Sequence, residues 1–282
     1  MNSKHSGKNR LGENTVRKAS LDEIKALELN ILLLFDQYCR KHELVYYLAG
    51  GTLLGAIRHK GFIPWDDDID VCMPRKDYIT FFNSFPCLNN RYMARCNLIG
   101  NFTGAFGKLV DLHTHIENIY TEDDRSANVW IDIFPVDGLP EDLSEVKKIY
   151  KKCSYYRRIL RLADSRLGEG KTTFHKCSKY ILKPLAQLYG RKRCVNNIET
   201  IAALHPYETS AYVGIVTNGL YGIGERMIKS EFEQSTTVTF EHHNFPAFSC
   251  WDSYLTGIYG NYMQLPPIEK RKIHDMKVYI DD

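Results

Sequence analysis

The sequence predicts a mixed α/β (α+β) fold, because helical and strand patterns alternate through its first half. Residues 20–23 form a capping box, and apolar side chains then recur at helical spacing as far as Tyr38. Residues 68–73 instead alternate polar and apolar side chains, which is the period of a strand. Beyond residue 140 the pattern turns helical and basic. Together these observations predict a mixed sheet core with helical additions.

The other elements follow from the same periodicities and from turn residues. Helices are predicted from Ser20 to about residue 42, at 52–60, from Pro74, across 141–205 with one break at 167–170, and from Trp251. Strands are predicted at 44–48, 68–73, 92–99, 104–111, 114–120, 128–134, 211–216, 237–241 and 245–249. Residues 219–224 are glycine-rich but lack the strand–helix setting of a phosphate loop, so we predict a flexible loop.

Composition excludes several classes of protein. The chain has 282 residues, of which 44% are hydrophobic and 25% charged, as in ordinary globular proteins. Its longest aliphatic run, at 31–35, is far shorter than the roughly 20 residues that span a bilayer. The start of the chain lacks the apolar segment of a secretory signal. Eight cysteines without a C-x-x-C pair predict reduced thiols, and therefore a cytoplasmic protein.

Charge is distributed unevenly along the chain. Residues 147–193 contain fifteen Lys or Arg against two acidic residues, although the net charge of the whole chain is only +3. Such a block suggests an anionic partner: a membrane surface, nucleic acid or a polyanionic polymer. The alternative is a set of solvated helix faces, and the sequence leaves both open.

Four aspartates between residues 66 and 70 are the most informative feature. Charges this crowded resist ionising unless a cation or hydrogen-bond donors compensate them. On a strand, Asp68 and Asp70 share one face, next to the glycine turn at Gly50-Gly51, and this predicts a seat for Mg²⁺ carrying a substrate phosphate. A solvated acidic turn is the simpler alternative. A calcium loop is excluded, because Val71 and Asp77 occupy the positions that require Gly and Glu.

Two later residues extend this site. Asp132 lies on a strand face between Trp130 and Phe134, where a carboxylate needs a cation or a donor, so it is the predicted third acid. Lys108 also lies on an apolar strand face and needs an anion, either Asp132 or a phosphate. Arg58 closes the helix after the glycine turn and is either a phosphate clamp or a cation that complements the helix dipole.

These motifs resemble those of the LicD family of phosphocholine transferases, which is related to the fukutin group and to the nucleotidyltransferase superfamily. In that superfamily a glycine turn precedes a strand with two metal carboxylates. The matching stretches are residues 50–70, 73–75, 130–137 and 259–267, with Lys270, Arg271 and His274. The resemblance spans roughly residues 20–280. It implies a nucleotidyltransferase-type mixed sheet core with helical additions.

The resemblance also implies an activity. A Mg²⁺-dependent enzyme would pass phosphocholine from CDP-choline to a sugar hydroxyl of a cell-envelope glycan, either a teichoic acid or a lipopolysaccharide precursor, and release CMP. The implied metal ligands and catalytic residues are Asp68, Asp70 and Asp132, which would hold one or two Mg²⁺, with Mn²⁺ as the alternative ion. The implied substrate-binding residues are Gly50, Gly51, Thr52, Arg58, Lys108, Arg75 and His274. A zinc site is not predicted, since the cysteine cluster of the fukutin group is missing.

These interpretations predict four segments along the chain and a cellular location for the protein. They are a disordered basic tail (1–19), a nucleotidyltransferase-like core (20–140), a basic helical segment (141–205) and a C-terminal mixed segment that completes the active site (206–282). We expect a cytoplasmic enzyme at the inner face of the membrane, associated through 147–193 with a lipid-linked or anionic glycan acceptor and not with nucleic acid. The alternatives are transfer of NMP, a CDP-ribitol or CDP-glycerol donor, and a non-catalytic protein that binds polyanions or membranes.

Overall fold

The computed structural model describes residues 16–117, 128–168, 172–271 and 277–281. Its helices are α1 (Leu21–Lys41), α2 (Gly50–Arg58), α3 (Arg75–Ser84), α4 (Leu143–Asp164), α5 (Thr173–Tyr189), α6 (Arg191–Ala202), α7 (Lys229–Phe232) and α8 (Trp251–Tyr259). Its strands are β1 (Val16–Lys18), β2 (Tyr47–Leu48), β3 (Asp70–Pro74), β4 (Tyr92–Arg95), β5 (Gly107–Asp111), β6 (Thr114–Glu117), β7 (Val129–Leu139), β8 (Tyr212–Gly214), β9 (Arg226–Ile228), β10 (Ser235–Phe240), β11 (His243–Phe248) and β12 (Lys277–Asp281).

The central sheet has seven strands and confirms the predicted mixed α/β fold. Its main path runs β2-β3-β7-β5-β4, and β8 joins the far end of β7 and pairs with β9. Strands β3 and β7 are parallel, whereas β5 is antiparallel to β7. A second sheet has the order β1-β12-β6, and β10 and β11 form a hairpin. The parallel pair places Asp70 and Asp132 side by side on adjacent strands.

Helix α1 confirms the sequence prediction at both ends. Ser20 and Glu23 form the capping box, and the helix ends at Lys41 with His42 as its C-cap. Its apolar stripe packs on the central sheet, against β5 and β7, with Ile31 and Phe35 fully buried. This packing fixes one side of the core.

Strand β3 begins two residues later than predicted. The sequence predicted a strand over 68–73, but Asp68 and Ile69 lie in a loop and the strand begins at Asp70. The Thr52 hydroxyl explains the difference, since it accepts the Asp70 N–H at 2.7 Å and donates to the Asp68 carbonyl at 3.5 Å. These backbone groups are therefore bonded to helix α2 and not to a strand ladder.

Several other boundaries also differ from the predictions, and three of them have a clear cause. Strand β2 is only Tyr47–Leu48, because Glu43 has φ 55° and the Leu44 N–H still bonds to the end of α1. Strand β7 runs on to Leu139, because its end pairs with β8. The β10–β11 turn consists of Glu241 and His242, with φ 47° and 64°, one residue earlier than predicted. Two successive left-handed residues match the twist of a two-residue hairpin.

The predicted disordered tail is too long by several residues. Val16–Lys18 form β1, which pairs with β12 near the other end of the chain. The Ala19 N–H continues this pairing with a 2.8 Å hydrogen bond to the Val278 carbonyl. Residues 1–15 of the predicted tail lie outside the described residues.

The segment 141–205 is helical, as predicted. It contains three helices, α4, α5 and α6, whereas the single predicted break at 167–170 implies two. Gly190 separates α5 from α6 and has φ 94°, a backbone conformation that glycine adopts without steric cost. Helix α4 packs against α6, and Val146, Tyr150 and Ile198 are buried between them. Among the described residues, no helix is both long enough and apolar enough to cross a membrane.

Candidate active site

A cavity of about 600 Å³ opens where β3 begins, beside the start of α2. It brings together most of the predicted acidic and glycine residues. Those that line it are Gly50, Gly51, Asp66, Asp68, Asp70 and Asp132. Its opposite wall comes from residues 215–225 and 254–266, so the C-terminal segment completes the cavity.

The two glycines allow the carboxylates to approach the start of α2. A Cβ atom on Gly50, which has φ 51°, would lie 2.6 Å from Asp70 Oδ2, and one on Gly51 would lie 3.1 Å from Asp66 Oδ2. The Gly51 N–H donates to the Asp70 carboxylate. The helix terminus is therefore already used to hold an acid of the site.

Thr52 has a different role from the one predicted. Its side chain is buried and does not line the cavity. Its hydroxyl is engaged by the Asp70 N–H and the Asp68 carbonyl, so it is not directed at a phosphate. Thr52 therefore positions the backbone of the two aspartates.

Asp132 is the acid contributed by the second strand. It stands opposite Asp70 in the parallel register of β3 and β7, and its N–H donates to the Ile69 carbonyl at 2.8 Å. Burial raises the pKa of its carboxyl, while the neighbouring Lys108 ammonium opposes that rise. A carboxyl with a raised pKa is suited to accepting a proton.

Lys108 pairs with Asp132, which was one of its two predicted partners. Its Nζ lies 3.3 Å from Asp132 Oδ1 and 3.6 Å from the ring centroid of Trp130. Burial lowers the pKa of the ammonium, and the Asp132 charge raises it in part. The side chain does not line the cavity, so its contact with the site is through Asp132.

Neighbouring acids raise the pKa of Asp70 and of Asp132. The pKa of Asp70 is well above its usual range, first because of burial and then because of Asp68, Asp132 and Asp66. Such mutual repulsion is relieved by a cation. In the part of the chain that the structure describes, no group of three or more His, Cys, Asp or Glu side chains is arranged to hold a metal ion, and this includes the predicted set of Asp68, Asp70 and Asp132. The residues nevertheless fit Mg²⁺, which commonly takes one or two carboxylates and completes its shell with substrate phosphate and water.

Glu28 joins this cluster and was missed by the sequence reasoning. It lies on α1 and is only 2% exposed, and within the described part of the chain its Oε2 has no hydrogen-bond partner. Burial raises its pKa well above the usual range, and the negative charges of Asp68 and Asp67 raise it further. The sequence did contain a signal for Glu28, because this carboxylate falls on the apolar stripe of α1 between Ile24 and Ile31.

Arg58 lines the cavity as a cation. Its Nη1 donates to the Tyr262 carbonyl, so the C-terminal segment orients the guanidinium. Burial lowers its pKa. Arg58 thus lines the same cavity as the acids, and its role as a phosphate clamp stays a prediction.

Arg75 is not at the site, contrary to the prediction. Its guanidinium is bonded to Asp137 at 2.7 Å and to Glu199 at 2.6 Å, and it is absent from the cavity wall. Arg75 lies on α3, Asp137 on β7 and Glu199 on α6, so these two largely buried ion pairs join the three elements. The other predicted substrate ligand, His274, lies outside the described residues.

Comparison with known proteins identifies the family. A family model described as "LicD/FKTN/FKRP, nucleotidyltransferase domain" matches residues 43–162. The lipopolysaccharide cholinephosphotransferase LicD of Haemophilus influenzae is 34% identical over 268 residues, which cover 93% of this chain and 98% of that protein. This chain belongs to the LicD family. It is therefore a transferase, as the sequence predicted.

Two rickettsial relatives match a smaller part of this LicD-family chain. An uncharacterized protein of Rickettsia typhi is 30% identical over 143 residues, which cover 50% of this chain and 44% of that protein. An uncharacterized protein of Rickettsia prowazekii is 39% identical over 70 residues, or 24% of this chain and 26% of that protein.

Proposed function

We propose that this LicD-family transferase moves phosphocholine from CDP-choline to a sugar hydroxyl of a cell-envelope glycan and releases CMP. The acceptor would be a lipopolysaccharide or teichoic acid precursor. The observation that supports the proposal most is the cavity that Asp68, Asp70 and Asp132 all line beside a glycine turn. The cholinephosphotransferase name of the Haemophilus influenzae relative, which is similar over nearly its whole length, supports the transferred group.

The acids and Arg58 would divide the work of binding. Asp68 and Asp70 would hold Mg²⁺, with Mn²⁺ as a substitute, and the Arg58 guanidinium would contact the diphosphate. Bound Mg²⁺ would neutralise negative charge on the diphosphate and on the departing CMP. The crowding that raises the Asp70 pKa supports a cation at this position.

Asp132 would act as the base. The acceptor hydroxyl oxygen forms a bond to the phosphorus that carries choline, and the bond from that phosphorus to the CMP oxygen breaks. The hydroxyl proton passes to Asp132, whose pKa is raised by burial and whose charge is held by Lys108. Every atom of the donor then ends in the phosphocholine ester or in CMP.

A donor panel tests the transferred group. CDP-choline, CDP-ribitol, CDP-glycerol and CDP-ethanolamine would each be supplied with a glycan acceptor, and Mg²⁺-dependent CMP release would be measured. We expect CDP-choline to give the highest kcat/KM. A clear preference for CDP-ribitol or CDP-glycerol would overturn the choice of phosphocholine.

We also propose that the basic segment 147–193 holds the enzyme against an anionic membrane surface on the cytoplasmic side. Several large apolar side chains on α5 point outward among these basic residues, and Leu188 is 83% exposed. The others are Tyr180, Ile181, Leu182 and Leu185. Apolar side chains with surrounding positive charge suit the surface of an anionic bilayer.

A further inference from the structure

One wall of the cavity is aromatic. Tyr221 and Tyr259 both line it, and their ring centroids lie 5.3 Å apart at an interplanar angle of 74°. The two rings therefore pack edge to face, with their planes nearly perpendicular. Trp65 also lines the cavity, but Arg271 already lies 4.4 Å from its ring centroid. The tyrosine pair is better placed than Trp65 to receive another cation.

A buried carboxylate lies in the same wall. Glu225 lines the cavity although it is only 4% exposed, and it ends the 3₁₀ turn Gly222–Glu225. Its Oε1 accepts the Tyr221 N–H at 3.1 Å, which links the carboxylate to the aromatic pair. Burial raises its pKa to about 7, so a bound cation would favour its charged form.

Close backbone packing holds this wall together. A Cβ atom on Gly224 would lie 2.2 Å from the Gly257 carbonyl, so the 3₁₀ turn and α8 can approach only because both residues are glycines. This contact brings Tyr221 to Tyr259. Arg157 supports the preceding loop from α4, because its guanidinium donates to the carbonyls of Val216, Thr217 and Gly219 at 2.8–3.2 Å.

The aromatic wall also adjoins the acidic side of the cavity. The Gly50 N–H donates to the Tyr254 hydroxyl at 3.4 Å, which joins α8 to the glycine turn. The charges of Asp70 and Asp66 raise the pKa of Tyr259, after burial and Tyr221, so this ring lies within electrostatic range of them. A group on this wall is therefore near the place proposed for the diphosphate.

Two aromatic faces and a buried carboxylate are suited to a quaternary ammonium. Such a cation has no hydrogen-bond donor, and it is bound by π faces and by nearby negative charge. A polyol such as ribitol or glycerol needs several hydrogen-bond partners in place of these faces. We propose that Tyr221, Tyr259 and Glu225 form the subsite for a quaternary ammonium head group on the donor. This inference rests on the proposed function and adds where its head group is bound.

Equilibrium binding tests the subsite. Isothermal titration without acceptor would compare CDP-choline with its neutral isostere, in which a 3,3-dimethylbutyl group replaces choline. We expect the parent chain to bind the cationic ligand about tenfold more tightly, within the range of desolvated cation–π contacts. Tyr221→Leu, Tyr259→Leu and Glu225→Gln should each reduce this ratio several-fold. Affinity for the neutral isostere and for CMP should change little.

Two further variants keep the test decisive. Tyr221→Phe retains the π face and should retain the ratio, and Tyr221 is 46% exposed, so its variants should fold even where Tyr259→Leu does not. Ile223→Ala is the matched control, because Ile223 is 43% exposed in the same 3₁₀ turn and does not line the cavity. An unchanged ratio in Tyr221→Leu and Glu225→Gln, or equal loss for both ligands, would overturn the subsite.

The binding ratio does not depend on turnover. If CDP-choline shows the cation preference but its phosphocholine never reaches an acceptor, the proposed function fails and the subsite stands. If phosphocholine is transferred but the ratio is insensitive to these variants, the function stands and the subsite fails.

Discussion

Asp70 and Asp132 stand directly opposite each other on the adjacent parallel strands β3 and β7. Lys108 occupies the facing position on the other side of Asp132, on β5. The register of three strands thus places two carboxylates and one ammonium in a row. This row suits an enzyme that must gather metal and phosphate charge in one place and accept a proton beside it.

The first prediction concerns Asp70. Asp70→Asn should reduce CMP release to background at saturating Mg²⁺. It should leave the melting temperature of the metal-free protein unchanged or higher, because one charge is removed from a crowded cluster. Turnover assays and thermal unfolding measure the two effects, with Asp22→Asn in the exposed first turn of α1 as control. Near-normal turnover in Asp70→Asn would show that Asp70 is not a metal ligand.

The second prediction separates catalysis from stability at Lys108 and Asp132. Asp132→Asn should reduce turnover at least ~10²-fold and also lower stability, because it leaves the buried Lys108 ammonium without its anion. Adding Lys108→Met should recover much of the stability but none of the turnover. Urea unfolding and kcat of both single variants and the double variant give the coupling energy. If Asp132→Asn only lowers stability and specific activity stays unchanged, Asp132 is structural.

The third prediction is a pH dependence due to Glu225. Burial raises its pKa from 4.5 to about 7, so the folded state binds this proton more tightly than the unfolded chain. The resulting stability is complete below pH 4.5 and is lost as the pH rises through about 7, a contribution of about 3 kcal/mol.

Urea unfolding between pH 5 and 8 checks this sign. Glu225→Gln should lose less stability than the parent chain over that range, whereas Glu231→Gln, at an exposed position, should follow the parent. Because the other buried acids are present in every chain, the difference isolates Glu225. Identical slopes in Glu225→Gln and the parent would contradict the raised pKa.

The fourth prediction concerns the membrane surface. Arg158 and Arg161 are exposed on α4, and each Lys or Arg near an anionic leaflet contributes about 1 kcal/mol. The protein should therefore bind phosphatidylserine vesicles at low salt and dissociate as salt rises. Arg158→Gln with Arg161→Gln should weaken this binding and raise KM for a lipid-linked acceptor. Equal losses with a small water-soluble acceptor would contradict docking.

Arg157 is the structural control for that experiment. The charge pattern alone grouped it with its neighbours as a docking residue, but it is buried and donates to three carbonyls. Arg157→Gln should lower stability by about 2 kcal/mol or more even without vesicles, because these carbonyls lose their donor.

The sequence predicted those parts of the fold and the site that depend on local patterns. Helical spacing located α1, and the glycine turn with the Asp68–Asp70 repeat located the start of β3 to within two residues. Asp132 was found because a carboxylate between aromatic residues needs a partner. Each of these signals lies within a few residues of the group that it identifies.

The remaining features depend on contacts between distant segments. The sequence predicted Thr52 as a phosphate ligand, but in the structure its hydroxyl is bonded to the backbone around Asp70. The sequence predicted Arg75 as a substrate ligand, but the fold places its ion-pair partners Asp137 and Glu199 beside it. Glu225 lines the cavity from a distant part of the chain, and Glu28 lies within electrostatic range of the acids of the site. The periodicity of the sequence around each residue does not predict either position.

Transfer from a doubly labelled donor tests the central claim most directly. CDP-choline carrying different labels in cytidine and in choline would be incubated with a glycan acceptor, with and without Mg²⁺. The account predicts choline label in the acceptor and cytidine label in free CMP, in equal amounts and only with Mg²⁺. Cytidine label in the acceptor, which marks nucleotidyl transfer, would contradict it, and so would transfer that persists after the metal is removed.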